Sequence, residues 1–118
     1  MPTSLAERHC VALPEGTPAL APAARDTLLR EVPGWEVVDG KRLRRTFRFR
    51  DFASALRFVD AVGAMSDAED HHPEIALTWG RATIEIWTHT VGGLSENDFV
   101  YAARTDVIAK DHPVLQER

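Results

Sequence analysis

The stretch Asp67-Ala68-Glu69-Asp70-His71-His72-Pro73-Glu74-Ile75-Ala76-Leu77-Thr78-Trp79-Gly80-Arg81-Ala82-Thr83-Ile84-Glu85-Ile86-Trp87-Thr88-His89 decides the fold of this chain. Ile75, Leu77 and Trp79 alternate with Glu74, Ala76 and Thr78, the period-2 signature of a half-buried strand, and Ala82, Ile84 and Ile86 repeat it. Gly80-Arg81 between the two runs suits a two-residue hairpin turn with Gly first. That turn pairs Trp79 with Ala82, Leu77 with Ile84 and Ile75 with Ile86. Extrapolated, it sets His72 opposite His89, with paired Cβ atoms about 5 Å apart. The hairpin therefore carries one apolar face and a histidine cluster at its open end.

Working outward, residues 51–68 read as a helix capped by Asp51, with Phe52, Leu56, Val59 and Val62 at helical period as its core stripe. The end of this helix delivers Asp67, Glu69 and Asp70 to the histidine pair. Before it, Asp39-Gly40 marks a first hairpin between a short strand at 35–38 and a longer one at 42–50, with Leu43, Phe47 and Phe49 on one face. Lys41, Arg42, Arg44, Arg45, Arg48 and Arg50 make that hairpin basic, and the reading favoured is a solvated strand face whose charges protect a sheet edge. Arg45 shares the parity of the phenylalanines and is expected to snorkel near a cleft. A helix at 23–32, with Leu28 and Leu29 as its apolar face, ends at Pro33-Gly34.

Beyond the second hairpin, Gly92-Gly93 leads into Ser95-Glu96-Asn97-Asp98, a capping-box pattern opening a helix at 96–110 with Val100, Ala103 and Val107 inward. Residues 1–22, interrupted by Pro14, Pro18 and Pro22, read as an extended arm. His112 reads as solvated, and 114–118 as a tail. The resulting fold class is α+β. It is a two-layer α-β-β-α-β-β-α domain over residues 23–113, a four-stranded antiparallel sheet with three helices on one face.

Composition bounds the function. With 118 residues there is one domain, and 44% hydrophobic with 27% charged residues describes an ordinary globular protein. A net charge of −4 argues against nucleic-acid binding through a basic surface. The lone Cys10 cannot form an internal disulfide. No apolar run approaches a membrane span of about 20 residues. Nor does the N-terminus read as a signal peptide, so a cytoplasmic location is expected.

The chemistry suggested by the residues is acid–base. Imidazoles titrate near a pKa of about 6.5, so histidines in one cleft suit a reaction that moves protons in both directions. Asp98 is a candidate to orient one imidazole and fix its tautomer. Zinc is not the favoured reading, because no Cys is near and no His-Glu-x-x-His spacing occurs.

At this point the residues resemble the pterin-4a-carbinolamine dehydratase family. Its pattern is met at Asp67, His71, His72, Pro73, Trp79, His89 and Asp98. The likeness extends to Pro33-Gly34-Trp35, Leu43-x-Arg45-x-Phe47-x-Phe49 and Gly92-Gly93-Leu94-Ser95. Asp67 stands where many members have Glu. The resemblance implies dehydration of a 4a-hydroxytetrahydrobiopterin-type substrate to quinonoid dihydropterin, recycling the pterin of aromatic amino acid hydroxylases. It implies no metal or organic cofactor, and a homodimer or homotetramer. Within it, His71 and His89 transfer protons, His72 holds the pterin ring and Asp98 orients a histidine. Asp67, Pro73 and Trp35 contact substrate. The competing reading is a binding module. The same fold resembles proteins that stabilise dimers of a transcription factor, or assist assembly of a carbon-fixing enzyme.

Overall fold

The computed structural model describes residues 4–115. Its elements are α1 (Pro22–Leu29), β1 (Glu36–Val38), β2 (Arg42–Arg48), α2 (Phe52–Glu69), β3 (Glu74–Thr78), β4 (Arg81–Ile86) and α3 (Glu96–Ala109). The strands form one antiparallel sheet in the order β1-β2-β4-β3, and the three helices cover one of its faces. This is the α+β architecture expected. The ends of the elements differ by a few residues. Pro22 begins α1, because a proline at the first helical position lacks only an N–H that would be unpaired there anyway.

Sheet and helices share a core in which Leu43, Phe47, Ala82, Ile84 and Ile86 face Phe58, Val62, Phe99 and Tyr101, all essentially buried. Phe47 and Phe58 meet with ring centroids 4.7 Å apart. Burying each such side chain stabilises the fold by about 1.5–3 kcal/mol.

Several expectations are corrected here. The second hairpin turns at Trp79-Gly80, not Gly80-Arg81. Thr78 pairs with Arg81, Leu77 with Ala82 and Ile75 with Ile84. Gly80 takes the left-handed corner at φ +73, leaving Trp79 outside the strand and 72% exposed. Each β3 residue thus moves by two along β4, an even slip that keeps the apolar faces matched. The pairing ends at Glu74↔Glu85, and His89 has already entered a 3-10 turn, so His72 does not lie opposite His89.

The α2 core stripe is Ala55, Phe58, Val62 and Ser66, while Phe52 and Leu56 are 43% and 47% exposed. Two apolar stripes lie side by side on this helix, and the one in phase with the sheet is offset from Phe52. Likewise α3 buries Phe99, Val100, Tyr101, Ala102 and Thr105 but leaves Val107 exposed.

The basic strand β2 is central, not an edge. Its outward arginines are neutralised across the sheet, Arg42 by Glu85 at 3.1 Å and Asp39 at 3.0 Å, and Arg44 by Glu36 at 2.9 Å. Arg45, on the inner face, reaches Asp106 at 2.8 Å and lies over the Phe47 ring at 4.6 Å.

The N-terminal arm is docked. Leu5 is buried in a short 3-10 turn, and the arm then crosses the junction of α2 and α3. There the Cys10 amide donates to Glu69 Oε1 at 2.7 Å. Asn97 bonds Val11 twice, accepting from its amide at 2.9 Å and donating to its carbonyl at 2.7 Å. His112 is also not merely solvated, since its ring meets the edge of Phe58 at 5.7 Å. Residues 1–3 of the expected arm and 116–118 of the expected tail lie outside the described residues.

Candidate active site

Asp70 closes α2 in the left-handed conformation, φ 51 and ψ 44. This reversal lets the His71 amide bond back to the Ser66 carbonyl at 3.2 Å, and it aims the two consecutive histidines apart. His71 turns inward, with its Nε2 2.7 Å from Asp98 Oδ1. His72 turns outward, with its Nε2 2.9 Å from Asp67 Oδ1, and both of these side chains are largely exposed. Pro73 then starts the extended run, where no ladder N–H is needed.

Asp98 is wholly buried and both of its carboxyl oxygens have partners. One oxygen faces His71. The other accepts from the Thr88 hydroxyl at 2.9 Å and from the Ser95 amide at 2.8 Å, the latter closing the capping box of α3. Thr88 and Ser95 hydroxyls meet at 2.7 Å. The helix N-terminus further favours a charged carboxylate there. Because a carboxylate only accepts, His71 must present Nε2–H to it, which in the neutral ring leaves Nδ1 as the lone-pair nitrogen. The edge of Tyr101 fixes the ring plane at 5.9 Å and 89°, and the Tyr101 hydroxyl is tied to Ser66 at 2.7 Å.

Thr88 directly precedes His89, so Asp98 ties the chain entering His89 to the His71 ring. His89 opens the 3-10 turn His89–Val91, is exposed, and leans on the Trp87 ring at 5.0 Å. Among the described residues it forms no hydrogen bond through its ring. No ring contact or hydrogen bond joins any two of His71, His72 and His89.

The structure therefore sorts the candidate residues into groups. His71 and Asp98 form a bonded pair. Asp67, His72 and Pro73 line a depression of about 590 Å3 between α2 and β3. His89 lines another, with Trp87 and Gly92. Trp35 is placed apart from all of them. It is 3% exposed, its Nε1 donates to Asp106 at 2.9 Å, and its ring meets Phe47. Burial raises the Asp106 carboxyl above its ordinary value, against the opposing pull of Trp35 and Arg45. Trp35 is thus built as a core anchor.

Sequence pattern does not single out Tyr101, and it gives neither Thr88 a bond to Asp98 nor Glu69 a bond to the arm. Thr88 had one available signal, its place immediately before His89. Glu69 is buried beside the arm. Burial pushes its carboxyl up, but the Cys10 amide, His9 at 2.8 Å and Arg104 outweigh this and hold it below its ordinary value.

Known proteins are similar to this chain in sequence and in fold. The family described as pterin 4 alpha carbinolamine dehydratase matches residues 18–108. A protein of Rubrobacter xylanophilus is 49% identical over 104 residues, covering 88% of this chain and 97% of its own length. One from Chlorobium limicola is 50% identical over 99 residues, covering 81% and 88%. Both bear the name "Putative pterin-4-alpha-carbinolamine dehydratase". Among solved structures, a transcriptional coactivator/pterin dehydratase from Brucella melitensis superposes with a TM-score of 0.73 at 32% identity, covering 77% of this chain and 98% of that one. A pterin dehydratase-like protein identified as a RuBisCO assembly factor in the alpha-carboxysome gives 0.56 at 27% identity, covering 64% and 89%. With the family pattern spanning nearly the whole sheet and its helices, the chain belongs to the pterin 4 alpha carbinolamine dehydratase family.

Proposed function

We propose that this protein dehydrates a 4a-hydroxytetrahydropterin to quinonoid dihydropterin and water, by histidine acid–base catalysis. The reaction needs one proton in and one out. The C4a–O bond breaks as the hydroxyl takes a proton and leaves as water. N5 gives up its proton, and its electron pair closes the C4a=N5 double bond. The observation that carries this reading is the 2.7 Å pair of His71 and the buried Asp98, which supports an imidazole with Nδ1 free to accept a proton. Asp98 would then stabilise the imidazolium formed. In this reading His71 takes the N5 proton, and His89, exposed and with a ring that bonds none of the described residues, gives one to the leaving hydroxyl. His72, steadied by Asp67, holds the ring from the other side. Each proton transfer contributes about 10²–10⁴-fold.

The same reading places the protein in the cytoplasm, in a pathway with an aromatic amino acid hydroxylase. It is a homodimer or homotetramer in this proposal, with the unpaired edge of β3 available to a second copy. A second reading, a binding module, draws support from the exposed Phe52, Leu56 and Trp79 and from the assembly-factor neighbour.

The test follows the absorbance decay of an enzymatically generated 4a-hydroxytetrahydropterin, with wild type and with His71→Ala/His89→Ala. Acceleration by the wild type alone supports the dehydratase. No acceleration by the folded wild type turns attention to a partner protein.

A further inference from the structure

Beside His89 the surface opens into a cavity of about 500 Å3 lined by Asp39, Lys41, Arg42, Trp87, His89 and Gly92. Its charges are unequal in kind. Arg42 is already held by Asp39 at 3.0 Å and Glu85 at 3.1 Å, and its guanidinium lies 5.8 Å from the centre of the Trp87 ring. Asp39 is used by the same bond. Lys41 also lines the cavity, and among the described residues its ammonium has neither a hydrogen bond nor an ion pair. The cavity thus offers a half-buried indole with a guanidinium over it, and one cation with no carboxylate bonded to it among the described residues.

We infer that this cavity is the subsite for the C6 substituent of the reduced pterin, and that it favours a substituent ending in an anion, a phosphate or a carboxylate. The inference rests on the dehydratase reading and deepens it. If His89 serves the C4a hydroxyl, then N5 and C6 are the next ring atoms along, since C6 is bonded to N5. A substituent on C6 leaves the ring two bonds from C4a, within reach of the mouth of this cavity. The carbon atoms of the tail pack on Trp87, and its terminal anion meets Lys41. Asp39, spent on Arg42, does not cancel that attraction.

The test compares kcat/KM for three 4a-hydroxytetrahydropterins, whose C6 substituents are methyl, neutral dihydroxypropyl and a phosphate-terminated tail. The readout is the ratio of phosphate-terminated to dihydroxypropyl substrate. An exposed ammonium contributes modestly, so the wild type is expected to favour the anionic tail about threefold. The preference should shrink as added salt shortens the screening length. Lys41→Ala brings the ratio to about one, and Lys41→Glu inverts it. Lys110→Ala, the same change of charge at a lysine outside the cavity, leaves the ratio as in the wild type. A wild-type ratio of one, or a ratio unmoved by Lys41→Glu, overturns the subsite while the dehydratase stands. No acceleration with any of the three substrates overturns the dehydratase reading and the subsite with it.

Discussion

Asp98 and His71 are 27 positions apart in sequence and 2.7 Å apart in space, with the carboxylate wholly buried and the ring half-buried. Two helix ends produce this contact. The left-handed Asp70 releases His71 from α2, and the capping box of Ser95 fixes Asp98 in the first turn of α3. The same carboxylate closes a helix and sets a tautomer, so its helix-capping role and its orienting role are compatible.

Replacing Asp98 with Asn tests the tautomer. The amide oxygen can still serve the Ser95 amide and the Thr88 hydroxyl, which leaves the NH2 facing His71. The ring must then offer a lone pair at Nε2 and carry its proton on Nδ1, the reverse of the arrangement needed to accept a proton there. Asp98→Asn is expected to lower kcat by about 10²–10⁴-fold while the chain still folds. Steady-state kinetics beside near-UV circular dichroism would show it. A kcat within twofold of wild type would remove Asp98 from the orienting role.

His89 is exposed, leans on Trp87, and through its ring bonds none of the described residues. If it protonates the leaving hydroxyl, its interaction exists chiefly in the transition state. His89→Ala should then lower kcat more than it raises KM, whereas a residue that only binds would show the opposite split. An unchanged kcat would end this assignment.

Glu69 links the arm to the site-bearing helix and makes stability depend on pH. Its folded carboxyl titrates below its ordinary value of 4.5, so the unfolded chain takes up the proton first as pH falls. Its contribution is therefore full above about pH 4.5 and is lost as pH drops through the folded value. Glu69→Gln should lower stability by about 1–2 kcal/mol at neutral pH through a weakened buried acceptor. The gap to wild type should narrow below about pH 4.5. Thermal unfolding across pH measures both, and a gap that stays constant would show that charge plays no part.

The fold was legible because alternation in β3 and β4 and the capping signals at Asp51 and Ser95 are local and strong. The family pattern also spans 67–98 with every spacing met. The hairpin register was not legible, since either Gly80-Arg81 or Trp79-Gly80 satisfies a two-residue turn and both keep the apolar faces matched. Only the positive φ of Gly80 at the second corner decides between them. The opposed aims of His71 and His72 follow from a left-handed Asp70, which a non-glycine residue does not announce. The docked arm was hidden for a different reason. Its anchors, Glu69 and Asn97, are polar side chains whose partners are backbone atoms far away in sequence, and no periodicity encodes such contacts.

That arm makes the final prediction. Cys10 belongs to it and is half-buried against Glu69 and Asn97, and burial, with Glu69 and Asp98 adding to it, pushes the thiol up to about 12. At pH 8 its thiolate fraction is then about a thousandfold smaller than that of the same thiol at its ordinary value of 9.0. Alkylation by iodoacetamide should accordingly be slow in the folded protein and fast in denaturant. Asn97→Ala deletes both bonds to Val11 and should loosen the arm, raising the alkylation rate by about tenfold or more as Cys10 is exposed. Because Asn97 adjoins Asp98, the same variant also reports whether the arm steadies the His71 contact. Faster alkylation together with a lowered kcat would mean the strap and the site are coupled. Faster alkylation with kcat intact would confine the arm to stability.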